Sequence, residues 1–203
     1  KPDYAEAHNN IGNALKEKGD LGAAIVNYRR ALSIDPNYVV AHYNMGAALQ
    51  EQGDLDMALD SYGRAIKIKP DYAEAHYNMG VTLKVKGNAV AAVDSYRQAI
   101  KIKPNYAEAH NNMGNVLMDD GDLIAAIDSF SQAIKIRPNY AEPYKNMGAA
   151  LMDQGNLDAA THCFKRAIKI KPDYADAHRN LSNITKYTPQ HAHLSELEKL
   201  HQS

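Results

Sequence analysis

The chain has 203 residues, 23 Lys and Arg against 24 Asp and Glu, and a single cysteine, Cys163. That length holds one or two domains, and the balanced charge gives no field that draws the chain onto nucleic acid or an acidic membrane. One thiol excludes an intrachain disulfide framework and a thiolate zinc cluster.

No run of 18 apolar residues reads as a membrane span, and no signal peptide precedes the first element. The chain opens at Lys1-Pro2 without a methionine, which reads as a piece cut from something longer. Location stays open, with the cytosol as the default.

Self-similarity organises the chain. Pro2, Pro36, Pro70, Pro104, Pro138 and Pro172 stand 34 residues apart, and the glycines at 12, 46, 80, 114 and 148 and at 19, 53, 87, 121 and 155 keep the same step. A fixed period of this length marks stacked repeats. Each unit reads as two helices. In the fourth, His110, Met113, Gly114 and Leu117 fall at i, i+3, i+4 and i+7 and share one face. Gly121 closes that helix and Asp122 is placed to cap the next, as Asp20, Asp54, Asn88 and Asn156 are in the other units. The second helix carries Ala126, Ile127, Phe130, Ala133 and Ile134, and Pro138 stops it. Glycine inside a helix costs about 1 kcal/mol against alanine. Gly114 and its equivalents therefore mark a place where two helices approach too closely for a side chain.

The period holds over residues 1–187, as five full repeats and the first helix of a sixth, in which Ser182 stands where glycine belongs. Beyond Tyr187 it fails. Thr188-Pro189 followed by Leu194, Leu197 and Leu200 predicts a short amphipathic helix over 188–203, assigned as a C-terminal cap. The alternative is a lead-in to a further domain.

Several series invite a chemical reading. His8, His42, His76, His110 and His178 recur with Tyr144 in the fifth unit. Metal ligands must converge, whereas these residues are one repeat apart, so packing is the reading taken. His191, His193 and His201, with His162, form a weak metal candidate. Cys163 falls among Ala160, Phe164 and Ala167 on a packed face and is expected to be inert. The basic row Lys67/Lys69, Lys101/Lys103, Lys135/Arg137 and Lys169/Lys171 is neutralised locally by Glu74, Glu108 and Glu142. No nucleophile, phosphate-loop or metalloprotease motif is present, so the chain is read as having no catalytic residues, metal or cofactor of its own.

One series resists a packing reading. Asn10, Asn44, Asn78, Asn112, Asn146 and Asn180 hold the same place in all six units, nearly opposite the packing face, on a stripe shared with Glu108, Asn115 and Asp119. Asparagine is a mediocre helix former. Either it hydrogen-bonds a neighbouring repeat and sets the stacking, or it contacts a ligand; both can hold together. A carboxamide donates and accepts, so it can read a peptide backbone without reading sequence. The residues just before it, Asn9, Tyr43, Tyr77, Asn111, Lys145 and Arg179, turn from neutral and aromatic to basic along the chain.

The order His110, Met113-Gly114, Leu117, Ala126, Phe130, Ala133 and Pro138 resembles the tetratricopeptide repeat family. The resemblance implies an all-α solenoid of antiparallel helix pairs in a right-handed superhelix, whose first helices line a concave groove that binds extended peptides. The segments AHNNMGN and AHNNIGN are similar to those of the O-linked N-acetylglucosaminyl transferases, which carry an asparagine ladder on that surface. Carried over by position, the groove residues are the six asparagines, with Tyr43, Tyr77, Asn111, Asn115, Lys145 and Arg179. A carboxylate clamp of the kind some members use is not expected, because Ala149 and Asp176 stand where Asn and Lys belong. The leading expectation is a scaffold binding protein or peptide in extended form, not nucleic acid or membrane. The alternatives are the recognition arm of a larger glycosyltransferase or sulfotransferase, since YTPQHAHLSEL is similar to the end of such arrays, and a module self-associating through repeat surfaces or exposed ends.

Overall fold

The computed structural model describes residues 2–184. Ten helices follow in order: Pro2–Glu17 (α1), Leu21–Ile34 (α2), Val39–Gln52 (α3), Leu55–Ile68 (α4), Ala73–Val85 (α5), Ala89–Ile102 (α6), Ala107–Asp119 (α7), Leu123–Ile136 (α8), Ala141–Asp153 (α9) and Leu157–Ile170 (α10). Residues 175–184 form an eleventh, α11, and the described residues contain no strand. This is the all-α helix-pair solenoid that the period implies. The expected capping helix over 188–203 lies outside the described residues, as do His191, His193 and His201.

Turn chemistry sets the alternation. Gly53 follows α3 in the left-handed region at φ 95°, which a side chain disfavours. From there the Gly53 N–H reaches Gln50 O at 3.1 Å and the Asp54 N–H reaches Leu49 O at 2.9 Å, tying up the last carbonyls of α3. The next helix then starts from a side-chain cap. Asp20 and Asp122 each accept from a backbone N–H three residues on at 3.0 Å. Asn88 and Asn156 do so at 3.3 Å, whereas Asp54 makes no side-chain cap bond.

The core repeats as well. Tyr28, Tyr62, Tyr96, Phe130 and Phe164, one per even helix, are fully buried. Each ring lies against the glycine of its paired odd helix, so closely that a Cβ on Gly114 would stand 2.6 Å from Phe130 Cε1 and one on Gly80 2.7 Å from Tyr96 Cε1. The glycine thus trades about 1 kcal/mol of helix propensity for aromatic burial that stabilises by roughly 1.5–3 kcal/mol per ring.

The described residues form two compact units, divided between Asn112 and Met113 inside α7. In the first, α1–α2, α3–α4 and α5–α6 are hairpins, with α2 against α3 and α4 against α5. One of its cores gathers Ala24, Ile25, Tyr28, Ala48, Leu49, Ala58 and Tyr62. In the second, α9 and α10 form the hairpin and α8 packs on α9. Its main core gathers Leu151, Ala160, Cys163, Phe164, Ala167, Ala177 and Ile184.

Candidate peptide-binding face

Successive odd helices are neighbours in the first unit, α1 beside α3 and α3 beside α5, so the ladder asparagines stand in a row there. Asn10 is exposed, and Asn44, Asn78, Asn112 and Asn180 are half-buried. Asn146 is buried at 3% exposure.

The carboxamides bond across the repeat junctions. Asn44 Nδ2 donates to Asn9 Oδ1 and to Asn13 Oδ1, each at 3.0 Å. Asn78 Nδ2 donates to Tyr43 Oη at 3.0 Å, and Asn112 Nδ2 to Tyr77 Oη at 2.9 Å. One rule covers all three: the ladder asparagine holds the residue 35 positions earlier, the one just before the previous ladder asparagine. Valences remain. Asn44 has both amide hydrogens engaged and keeps its oxygen. Asn78 Oδ1 bonds no described residue, and Asn112 Oδ1 accepts from Asn111 Nδ2 at 3.3 Å, leaving Asn112 a second oxygen lone pair.

The tyrosines that receive these bonds are stacked. The Tyr43 ring lies 5.0 Å from Tyr72 and 6.0 Å from Tyr62, and Tyr77 lies 4.9 Å from Tyr106 and 5.9 Å from Tyr96. Burial raises the hydroxyl pKa of Tyr43, Tyr62, Tyr72, Tyr96 and Tyr106, Tyr72 to about 12, and neighbouring hydroxyls and Glu74 add to the rise at Tyr72 and Tyr106. At neutral pH they are therefore hydrogen-bonding phenols.

A second layer of polar contacts lies beneath this row and was not legible as a series. Tyr28 Oη donates to Asn13 Oδ1 at 2.8 Å, and Tyr62 Oη to Gln50 Oε1 at 3.0 Å. Thr82 Oγ1 lies 2.9 Å from Gln50 Oε1 and 2.8 Å from Asn78 O. The acceptor shifts from the Asn13 place to the Gln50 place, so no fixed period reveals it. Tyr96 has neither, because Val81 and Lys84 occupy those two places. The Asn112 amide approaches the Tyr96 hydroxyl as a weak hydrogen-bond donor and partly offsets the rise that burial causes, but no well-formed hydrogen bond is made at that buried oxygen.

Asn111 is fully buried. Asn115 and Lys145 are half-buried, and Arg179 is exposed and paired with Asp176 at 2.7 Å. The histidine series has a bonding role beyond packing. The Nε2–H of His42, His76, His110 and His178 donates to the carbonyl of Pro36, Pro70, Pro104 and Pro172, at 2.9, 3.1, 3.4 and 2.9 Å. Each ring thus clasps the turn that leads into its own helix, while His8 lies 3.4 Å from Asn27 Oδ1 instead. The basic row is engaged locally. Lys103 Nζ lies 3.2 Å from Glu74 Oε1 and 4.6 Å from the Tyr106 ring centre, and Lys69, Arg137 and Lys171 stand over Tyr72, Tyr140 and Tyr174.

Among the described residues no three His, Cys, Asp or Glu side chains are grouped to hold a metal, and no helix is long and apolar enough to cross a membrane. Cys163 is buried, and burial raises its thiol pKa, which disfavours the reactive thiolate.

Comparison with known proteins places this architecture. No curated protein matches the sequence. Among solved structures, a MamA protein is 27% identical with a TM-score of 0.77, covering 86% of this chain and 96% of that one. MamA 41-end from Desulfovibrio magneticus RS-1 is 20% identical with a TM-score of 0.77, covering 85% and 97%. YrrB, described as a TPR protein with an unusual peptide-binding site, is 24% identical with a TM-score of 0.72, covering 85% and 89%. The last two likenesses carry the fold alone. A TPR-repeat model matches residues 12–53, 49–87, 86–121 and 114–155, and a tetratricopeptide-repeat model matches 141–174. The chain, an all-α solenoid built from these units, belongs to the tetratricopeptide repeat family.

Proposed function

We propose that the chain is a protein-interaction scaffold whose odd-helix face binds polypeptide in extended form, through the ladder asparagines and the tyrosines they hold. One observation carries this reading. Asn44, Asn78 and Asn112 are each pinned to the preceding repeat, yet each keeps a carboxamide valence open on a half-buried surface. Pinning fixes the rotamer, so little side-chain entropy remains to be lost on binding, and the open valence can pair with a peptide group. The stacking role and the ligand role are thus two ends of one carboxamide. Repetition distributes such contacts along a strand-like ligand, while Tyr43, Tyr77, Lys145 and Arg179 vary the chemistry beside them. A second reading, in which this face is the recognition arm of a larger enzyme, rests only on the resemblance read in the AHNNMGN and AHNNIGN segments.

The test is selection of a random peptide library on the immobilised protein, followed by Tyr43→Phe and Asn78→Ala with binding and melting both measured. Asn78→Ala is expected to weaken selected peptides about tenfold or more, the equivalent of roughly 1.4 kcal/mol. Tyr43→Phe is expected to weaken them less. Unchanged binding in a destabilised Asn78→Ala protein would reduce the ladder to stacking alone.

A further inference from the structure

The stripe that carries each ladder asparagine runs from four residues before it to three and seven residues after it. On α1, α7 and α9 an acid stands at both ends: Glu6 and Glu17 around Asn10, Glu108 and Asp119 around Asn112, Glu142 and Asp153 around Asn146. The two odd helices between α1 and α7 depart from this. On α3 the stripe is Val40, Asn44, Ala47 and Glu51; on α5 it is Glu74, Asn78, Val81 and Val85. Each has valine in place of one terminal acid, and each has an apolar residue where α1 and α7 carry Asn13 and Asn115.

These apolar residues reach solvent. Val40 is 42% exposed and Val85 66%, while Ala47 and Val81 are half-buried. Because α3 lies beside α5, the four share one stretch of surface, and the half-buried Tyr43 and Tyr77 stand one turn before Ala47 and Val81. Apolar surface inside a polar rim marks an interaction site. The groups beside it identify the occupant. Asn44 and Asn78 each keep an open carboxamide oxygen on this same stripe, and an open acceptor calls for a donor. An extended peptide brings unbonded N–H groups and side chains together within one or two residues. The N–H groups inside a docked helix are already bonded to its own carbonyls, and a lipid chain has none.

We propose that Val40, Ala47, Val81 and Val85 form an apolar subsite, which selects peptides carrying an aliphatic or aromatic side chain next to the backbone that Asn44 and Asn78 hold. On α1, beside α3, Asn13 and Glu17 keep the neighbouring place polar, so the apolar requirement is confined to this stretch. The proposal rests on the peptide-binding reading and adds to it the kind of side chain that accompanies the backbone.

The probes are peptides selected from a random library on the full chain and kept only if Asn78→Ala weakens them. They are expected to share an aliphatic or aromatic residue, whose replacement by serine weakens binding about tenfold. Val81→Asn and Val85→Asp give α5 the residues that α7 carries at the same places, so the double variant is expected to fold, and circular dichroism checks this. In it the parent and serine peptides are expected to bind alike, whereas Val90→Glu, at a residue 76% exposed on α6, leaves the tenfold difference intact. Asn78-dependent peptides with no shared apolar residue, or a tenfold difference that persists in the double variant, would overturn the subsite and leave the peptide reading standing. A library with no Asn78-dependent peptide would overturn both. Dimerisation of the free chain that the double variant abolishes would assign the stretch to a second copy and overturn the subsite.

Discussion

An added Cβ on Gly114 would stand 2.6 Å from Cε1 of Phe130, inside any real carbon contact, and the ring has nowhere to go because it is fully buried. Helix propensity alone favours Gly114→Ala by about 1 kcal/mol; overpacking costs about 1–3 kcal/mol. The second effect is expected to win, and urea denaturation of Gly114→Ala should show a net loss of up to about 2 kcal/mol. The sign of this effect was legible in the sequence, since a glycine kept inside a helix at a fixed period marks a close approach of two helices. Its partner was not, because nothing in a single repeat says which aromatic faces it. The hydroxyls divide similarly. Tyr62 Oη has Gln50, so Tyr62→Phe should cost about 1 kcal/mol. Tyr96 Oη is buried with no well-formed hydrogen bond, only the weak approach of Asn112, so Tyr96→Phe should cost less than Tyr62→Phe or be neutral. Equal losses in the two variants, read from denaturant midpoints, would contradict the assignment.

At the scale of the element, the caps provide a comparison that sequence does not. Asp20 and Asp54 occupy one repeat position, and both read as N-caps. Only Asp20 bonds a backbone N–H, that of Ala23 at 3.0 Å. Asp20→Ala should therefore cost about 1 kcal/mol, and Asp54→Ala only a few tenths, in the same denaturation assay. The odd–even alternation itself followed from glycine, cap and proline spacing, because those residues act within a few positions of one another. The histidine clasp did not. Its acceptor is a proline carbonyl six residues earlier, and periodicity reports that a residue recurs without reporting which atom it bonds. The ladder was half legible for the same reason. Its six-fold recurrence and polar face were plain, whereas the bonds from Asn78 to Tyr43 and Asn112 to Tyr77 run between repeats 35 residues apart.

Across the whole molecule, buried tyrosine couples stability to alkaline pH. Burial raises the hydroxyl pKa of Tyr28, Tyr43, Tyr62, Tyr72, Tyr96 and Tyr106, Tyr28 and Tyr72 to about 12. The folded state therefore holds these protons more tightly than the unfolded chain, whose tyrosines titrate near 10. Their contribution is full below pH 10 and is lost as pH rises from about 10 towards and beyond 12. The melting temperature should fall steeply above pH 10, and less steeply when Tyr28 is replaced by Phe; a flat profile from pH 9 to 12 would contradict it. Nearest-neighbour stacking also predicts that junction variants act locally, so hydrogen exchange in Asn78→Ala should rise first around α3–α5.

The side-chain amide signals of Asn78 and Asn112 in proton–nitrogen NMR spectra report directly on the proposed double role, in which one carboxamide both fixes the stacking and reads a peptide backbone. Titration with a library-selected peptide should shift both pairs of signals saturably. They should stay sharp in the free protein, as expected for side chains held by Tyr43 and Tyr77. Saturable binding that leaves both pairs unmoved, with shifts confined to the even helices, would contradict the account.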